Sequence, residues 1–215
     1  MDILKQIYKN RIIVIVRDLQ LEYIIRLVNA LYVGGIKIVE VTFNQAKPDM
    51  WMNTASAIKT IAEKFKDKVI VGAGTVLTIK QLNMAKSAGA QFIVSPNVDV
   101  NIIQETKKLG LASFPGALTP TEVIIAKNAG ADIIKIFPSG NLGPSYIKAI
   151  KSPLSHIDFI AVGGIDEKNA ANFIKAGAIG IGVGGNLVNK AWIEAGDFEK
   201  ITMLASDYVK AVEET

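Results

Sequence analysis

The chain of 215 residues contains no cysteine. That excludes disulfides, thiolate nucleophiles and zinc–thiolate centres, and it fits an intracellular setting. Histidine occurs once, as His156, so metal sites built on two or three histidines are impossible, as are nucleophile–base pairs that draw on several. That histidine lies in Ser152-Pro153-Leu154-Ser155-His156 and reads as a turn residue. Arginine occurs only at Arg11, Arg17 and Arg26, although the net charge is +4. The positive charge therefore comes from scattered lysines, and no arginine-rich stripe for nucleic acid exists. Such a balance serves solubility, with mild attraction for anionic substrates. Long apolar runs are missing too. Ile12-Ile13-Val14-Ile15-Val16, flanked by Arg11 and Arg17, is too short to cross a membrane and follows no secretory pattern. Neither nucleic acid nor a membrane is an expected partner.

What the chain does have is one charge where charge does not belong. Lys135 stands alone in Ala131-Asp132-Ile133-Ile134-Lys135-Ile136-Phe137-Pro138, a run that reads as a buried parallel strand. An ammonium stripped of water there is pushed toward the neutral amine, the form that attacks a ketone to make a Schiff base. The competing reading is a packed stem with the head reaching water.

A weak internal repeat supplies the architecture. Four times a helix-like stretch ends in glycine and an apolar run follows: Gly34-Gly35 into Ile38 and Glu40, Ala88-Gly89-Ala90 into Phe92 and Pro96, Ala129-Gly130-Ala131 into Lys135, and Ala176-Gly177-Ala178 into Val183. The glycine supplies the left-handed helix cap and the run is the next strand. Further strands fit at Ile12–Val16, 69–73, 111–114 and Phe159–Val162, which makes eight. Thr78 with Gln81, and Thr119-Pro120 with Glu122, read as capping boxes; Asp166 reads as the cap of the helix running to Lys175. Eight β-then-α units in this length fit a (β/α)8 TIM barrel. An open doubly wound sheet is the alternative, but no G-x-G-x-x-G follows the first strand and no Walker motif occurs. With no linker or low-complexity segment, one domain over 1–215 is expected, and 196–215 reads as a final helix outside the barrel.

Barrel active sites lie at the C-terminal ends of the strands. Alternation places Ile38, Glu40 and Thr42 on one face of the second strand and Ile133, Lys135 and Phe137 on one face of the sixth. Glu40 and Lys135 can thus project into one layer from opposite sides. Glu40 in an apolar run is either an ion-pair partner of a lysine or a partly desolvated carboxyl suited to moving protons near neutral pH. Burial lowers the pKa of Lys135 while an ionised Glu40 raises it. Gly72-Ala73-Gly74-Thr75 ends the third strand with small residues that would let backbone approach a ligand, and the Thr75 hydroxyl can bond a carboxylate or carbonyl. The pairs Gly163-Gly164 and Gly184-Gly185 follow strands seven and eight, where barrels bind phosphate on bare backbone N–H groups.

Taken together, Val39-Glu40-Val41-Thr42, Gly72-Ala73-Gly74-Thr75-Val76-Leu77, Ser95-Pro96, Pro115-Gly116, Thr119-Pro120-Thr121-Glu122, Lys135-Ile136-Phe137-Pro138, Gly163-Gly164-Ile165 and Ala195-Gly196-Asp197-Phe198 resemble the class I 2-keto-3-deoxy-6-phosphogluconate / 4-hydroxy-2-oxoglutarate aldolase family over nearly the whole chain. The resemblance implies that Lys135 forms a Schiff base with pyruvate and that Glu40 moves protons. It further implies that Arg17, Thr75, Asn44, Pro96, Phe137 and Val162 meet the substrate, and that Gly163, Gly164, Gly184 and Gly185 surround its phosphate. Members are trimeric, cytoplasmic and need no metal or other cofactor. This chain departs from the phosphogluconate pattern in carrying Asn44 for arginine, Gly185 for serine, Asn97 for glycine and Ala161-Val162 for Pro-Thr. Asn44, Asn97 and Val162 look more like the phosphogalactonate branch.

The expected activity is therefore cleavage of a 2-keto-3-deoxy-6-phospho sugar acid to pyruvate and glyceraldehyde 3-phosphate. Three rivals stand beside it: a phosphate-barrel isomerase or epimerase with Glu40 as base, a magnesium aldolase, and a non-catalytic binding module. The second would need a carboxylate ligand that the strand ends do not supply. Turnover should accordingly survive exhaustive treatment with EDTA; loss that Mg²⁺, Mn²⁺ or Zn²⁺ restores would move the protein to the metal-dependent class.

Overall fold

Each strand of the sheet runs parallel to its neighbours, because a helix returns the chain to the same end between one stave and the next. The computed structural model describes residues 3–215. Its strands are β1 (Ile12–Val16), β2 (Ile38–Thr42), β3 (Ile70–Gly74), β4 (Phe92–Val94), β5 (Ala112–Phe114), β6 (Gly116–Ala117), β7 (Ile134–Ile136), β8 (Phe159–Val162) and β9 (Gly180–Val183). Their lateral order is β5-β4-β3-β2-β1-β9-β8-β7-β6. Nine strands replace the eight expected, and the reason is local. Pro115, which has no N–H to give a ladder, interrupts the fifth stave into β5 and β6. The carbonyls of that stave still accept across the gap, from Asp132 N–H to Ser113 at 3.0 Å and from Lys135 N–H to Pro115 at 2.9 Å. The sheet thus closes into a barrel of eight staves, as the periodicity implied.

The helices are α1 (Ile3–Asn10), α2 (Leu21–Val33), α3 (Trp51–Lys64), α4 (Ile79–Ser87), α5 (Val100–Lys108), α6 (Pro120–Asn128), α7 (Gly143–Lys151), α8 (Ala170–Lys175), α9 (Lys190–Ala195) and α10 (Phe198–Glu213). Both capping boxes form. Thr78 Oγ1 accepts from the Gln81 N–H at 3.2 Å while Gln81 returns an acceptor to the Thr78 N–H at 3.1 Å, and Glu122 does the same for Thr119 at 2.7 Å. Asp166 departs from expectation. Its side chain accepts from the N–H groups of Lys168 and Asn169, so it shapes the turn before α8, whose cap position is Asn169. The segment 196–215 forms one final helix, α10, as expected, and Gly196 with a left-handed φ of +80° ends α9 before it. α10 then packs against α2, where Gly34 permits the approach: a Cβ there would lie 2.6 Å from the Ala205 methyl. His156 sits exposed in a turn, as read from its neighbours.

Two cores result. The larger lies between strands and helices; the smaller fills the barrel with Ile13, Ile38, Ile70, Phe92, Val94, Phe114, Ile133, Ile160 and Val162, and Ile7 of α1 plugs its lower end. Two inward positions of β3, Gly72 and Gly74, are glycine for a reason of volume. A Cβ on Gly72 would lie 2.5 Å from the Phe92 ring, and one on Gly74 would lie 1.7 Å from Glu40 Oε1. These glycines yield space to protein side chains rather than to a ligand, which corrects the expectation for that strand. Gly72→Ala should therefore destabilise the fold by about 1–3 kcal/mol through overpacking. Thermal melting would register this as a loss of roughly 2–4 °C per kcal/mol for a domain of this size. Adding Phe92→Leu should restore part of the loss, and a Gly72→Ala protein melting with the wild type would refute the volume argument.

Candidate active site

Above the inner core, a cavity of about 880 Å³ opens at the C-terminal ends of the strands. Arg17, Glu40, Thr75, Pro96, Lys135, Phe137, Val162, Gly163, Gly164, Gly184 and Gly185 all line it. Residues from seven staves converge there because in a parallel barrel every strand ends at the same rim.

Lys135 and Glu40 form the floor. Lys135 pairs across the ladder with Gly116 on one side and Ile160 on the other, and Glu40 with Ile15 and Gly72. Their exposures are 7% and 3%, and no salt bridge or side-chain hydrogen bond joins either to another described residue. Burial pushes the Lys135 amine below its usual 10.5, against an opposing pull from Glu40 and with help from Arg17. Burial also pushes the Glu40 carboxyl above its usual range, while Lys135 and then Arg17 draw it back. For each group desolvation outweighs attraction, since the two are not in contact and each sits among apolar side chains. The Lys135 Nζ stands 4.7 Å from the centroid of the Phe137 ring, which covers one side of it.

Thr75 follows β3 with a backbone φ of +54°. A β-branched residue there is strained by about 1–3 kcal/mol and stays only where its surroundings hold it. Across the cavity, Gly163 and Gly164 take left-handed φ values of +90° and +74°. Gly163 lies beneath the Phe137 ring, where a Cβ would come within 3.1 Å of it. Buried Ser139 fixes this side: its N–H donates to the Val162 carbonyl at 2.8 Å and its hydroxyl to the Ile136 carbonyl at 2.7 Å. A Cβ on Gly185 would meet nothing within 4 Å.

Asn44 is the exception among the expected contacts. Its side chain lies off the cavity lining and donates to both carboxylate oxygens of Asp18, at 2.9 and 3.0 Å. The expected direct donor is thus committed elsewhere, and Asp18 faces the cavity in its place. Sequence reasoning missed Asp18, Asn186 and Lys190, which also line it. Asn186 is held by Glu167 at 3.1 Å and by the hydroxyl of fully buried Tyr208 at 2.9 Å. No periodicity marks such residues, because their partners lie on distant segments.

A buried amine and a buried carboxyl facing one cavity at the mouth of a parallel barrel define a class, the barrel lyases that cleave carbon–carbon bonds on a lysine. Residues 3–204 match the family model described as KDPG and KHG aldolase. Along 207 residues, 96% of either chain, the protein is 36% identical to the 2-dehydro-3-deoxy-6-phosphogalactonate aldolase of Escherichia coli (strain K12). It is 32% identical over 212 residues, 98% of this chain and 97% of the other, to the 2-dehydro-3-deoxy-phosphogluconate aldolase of Treponema pallidum (strain Nichols). A solved KDPG aldolase from Legionella pneumophila, with pyruvate captured at low pH as a covalent carbinolamine, superposes with a TM-score of 0.80 at 26% identity, covering 92% of this chain and 93% of that one. The chain belongs to the KDPG and KHG aldolase family and is a Schiff-base aldolase, a lyase.

The lowered Lys135 pKa carries a stability consequence. Below its folded value the ammonium is charged in both states and the burial penalty is complete; as pH rises toward 10.5 the penalty disappears. Lys135→Met should therefore melt higher than the wild type by about 1 kcal/mol equivalent on the acid side, the advantage shrinking as pH rises. Melting curves between about pH 5 and 9 check this, and a variant less stable at every pH would contradict it.

Proposed function

We propose that the chain cleaves 2-keto-3-deoxy-6-phospho sugar acids to pyruvate and glyceraldehyde 3-phosphate, accepting the phosphogalactonate epimer at least as well as the phosphogluconate one. The observation that carries the chemistry is Lys135: a buried amine, in no ion pair with another described residue, at the floor of the cavity. Its neutral form attacks C2 of the keto acid, and loss of water from the carbinolamine leaves an iminium. Glu40, working through a water molecule, takes the C4 hydroxyl proton. The C3–C4 bond then breaks, its electron pair moves toward the iminium nitrogen to give the enamine, and the aldehyde departs. Glu40 returns a proton at C3, and hydrolysis of the resulting iminium frees pyruvate and the amine. Burial raises the Glu40 carboxyl above its usual range, which makes it a stronger base and better able to hold and return a proton than an exposed carboxylate, as this cycle requires.

The remaining residues bind. Thr75 and Arg17 hold the keto-acid end, Pro96 and Phe137 cover it, and the backbone at Gly163, Gly164, Gly184 and Gly185 receives the phosphate. Residues 1–215 work as one catalytic domain, and the enzyme is a cytoplasmic homotrimer, as its family resemblance implies. The epimer preference rests on Val162, which lines the cavity and cannot hydrogen-bond a hydroxyl at C4. A missing polar partner changes selectivity by about tenfold to a hundredfold. A strong preference for the phosphogluconate epimer in kcat/KM would overturn that assignment.

Pyruvate with borohydride should inactivate the enzyme irreversibly at Lys135, located by peptide mass mapping. Lys135→Arg should be folded and inactive, because guanidinium stays protonated. Modification at another lysine, or none, removes the basis of the mechanism. Glu40→Gln should lower kcat far more than it weakens pyruvate binding. Open space at Gly185 allows a gain as well: Gly185→Ser should lower KM for phosphorylated substrates by up to about tenfold through one added hydrogen bond and leave non-phosphorylated 4-hydroxy-2-oxoglutarate unaffected. Equal effects on both would place the phosphate elsewhere.

A further inference from the structure

Thr75 cannot keep its conformation unaided, and the structure contains a device that keeps it. The residue before it is fixed when the Phe43 N–H donates to the Gly74 carbonyl at 2.9 Å, and the residue after it when the Val76 N–H donates to the Val94 carbonyl at 3.2 Å. The carbonyl of Thr75 itself leaves the sheet pattern. It accepts from the Gln45 side-chain amide at 2.7 Å, and a longer contact of 3.5 Å from the same nitrogen reaches the Phe43 carbonyl. Gln45 Oε1 in turn accepts from Gln81 Nε2 at 3.0 Å. Gln81 is fully buried, and its own Oε1 accepts from the N–H groups of Leu77 and Thr78 at 2.8 and 3.1 Å.

The relay has a single direction. Gln81 spends its oxygen on the capping box of α4, so only its nitrogen can face Gln45; Gln45 must then turn its oxygen toward Gln81 and its nitrogen toward Thr75. A flipped Gln45 amide would set oxygen against the Thr75 carbonyl and nitrogen against the Gln81 nitrogen. The start of α4, whose position the sheet and helix packing fix, thereby determines which way the strained Thr75 unit points. Gln45 stands exposed at the rim and is not among the residues lining the cavity, so it has no direct route to substrate.

We propose that Gln45 is a positioning residue for the aldolase reaction, holding Thr75 at φ +54° so that its hydroxyl meets the keto acid. This rests on the reading above in which Thr75 binds the keto-acid end. Since that contact is made in the ground state and the transition state alike, its loss raises KM and leaves kcat nearly unchanged. Gln45 is thus a determinant of keto-acid affinity that touches no substrate.

The test uses Gln45→Met, which keeps the unbranched shape and removes the donor. KM for the phospho sugar acid, and the pyruvate concentration for half-maximal borohydride trapping, should both rise about tenfold, the worth of one hydrogen bond. The turnover number should stay within about threefold, and trapping at saturating pyruvate should still occur at Lys135. Thr75→Val removes the hydroxyl but keeps the branched side chain; in that background Gln45→Met should change KM by less than about twofold, because coupled residues are not additive. Unchanged KM in Gln45→Met, parallel losses of KM, kcat and melting temperature, or full additivity with Thr75→Val would each overturn the proposal. Failure of pyruvate and borohydride to trap the wild-type enzyme would instead overturn the Schiff-base reading beneath it.

Discussion

An ammonium and a carboxyl held out of water but kept apart set the terms for the rest of this protein. Had Lys135 and Glu40 met as an ion pair, each would have fixed the other's charge: the amine would stay protonated and the carboxyl ionised, and neither would exchange protons near neutral pH. Had either been exposed, its pKa would have returned to the ordinary range. The barrel meets both conditions at once. Parallel strands bury both groups above the inner core of Ile13, Ile38, Ile133 and Ile160, and both line the cavity above it. Burial governs both groups, and their mutual attraction only moderates it.

That arrangement needs room, and glycine supplies it. Glu40 lies where a side chain on Gly74 would have been, and the Phe137 ring that shields Lys135 lies over Gly163. The chain thus omits side chains from one strand to seat the working groups of the next. The same economy explains why the site is sensitive to small changes at positions that carry no chemistry. An added methyl at Gly72 or Gly74 meets a packed ring or a buried carboxyl with nowhere to go.

The cavity wall is built differently, through second partners. The Asn44 amide is turned to Asp18, and it is the Asp18 carboxylate that faces the cavity. Val162 offers a methyl surface on the opposite wall, held by Ser139 beneath it. Tyr208 on the last helix reaches back through Asn186 to the wall beside the glycine pairs. The loops of the rim are therefore tied both to one another, through Asn44 with Asp18 and Gln45 with Thr75, and to buried elements of the scaffold, through Ser139 and Tyr208.

Much of this was legible in the amino-acid sequence because it is encoded over short distances. One lysine or one glutamate in an apolar run betrays itself by its neighbours. A threonine three residues before Gln81 or Glu122 announces a helix start, and glycine followed by β-branched residues announces a strand. Summed around the repeat, these local signals determined the barrel, its catalytic end, and Lys135, Glu40, Thr75 and the glycine pairs at the cavity, while the family resemblance added Arg17, Pro96, Phe137 and Val162. Tertiary structure alone decided the partners. The split at Pro115, the use of Asp166 in a turn, the seating of Glu40 on Gly74, the turning of Asn44 to Asp18 and the link from Gln81 through Gln45 to Thr75 each depend on spacing between residues that chain order leaves open. A hydrogen bond or a close contact is decided by a few tenths of an ångström in three dimensions, whereas periodicity reports only which face of an element a residue occupies.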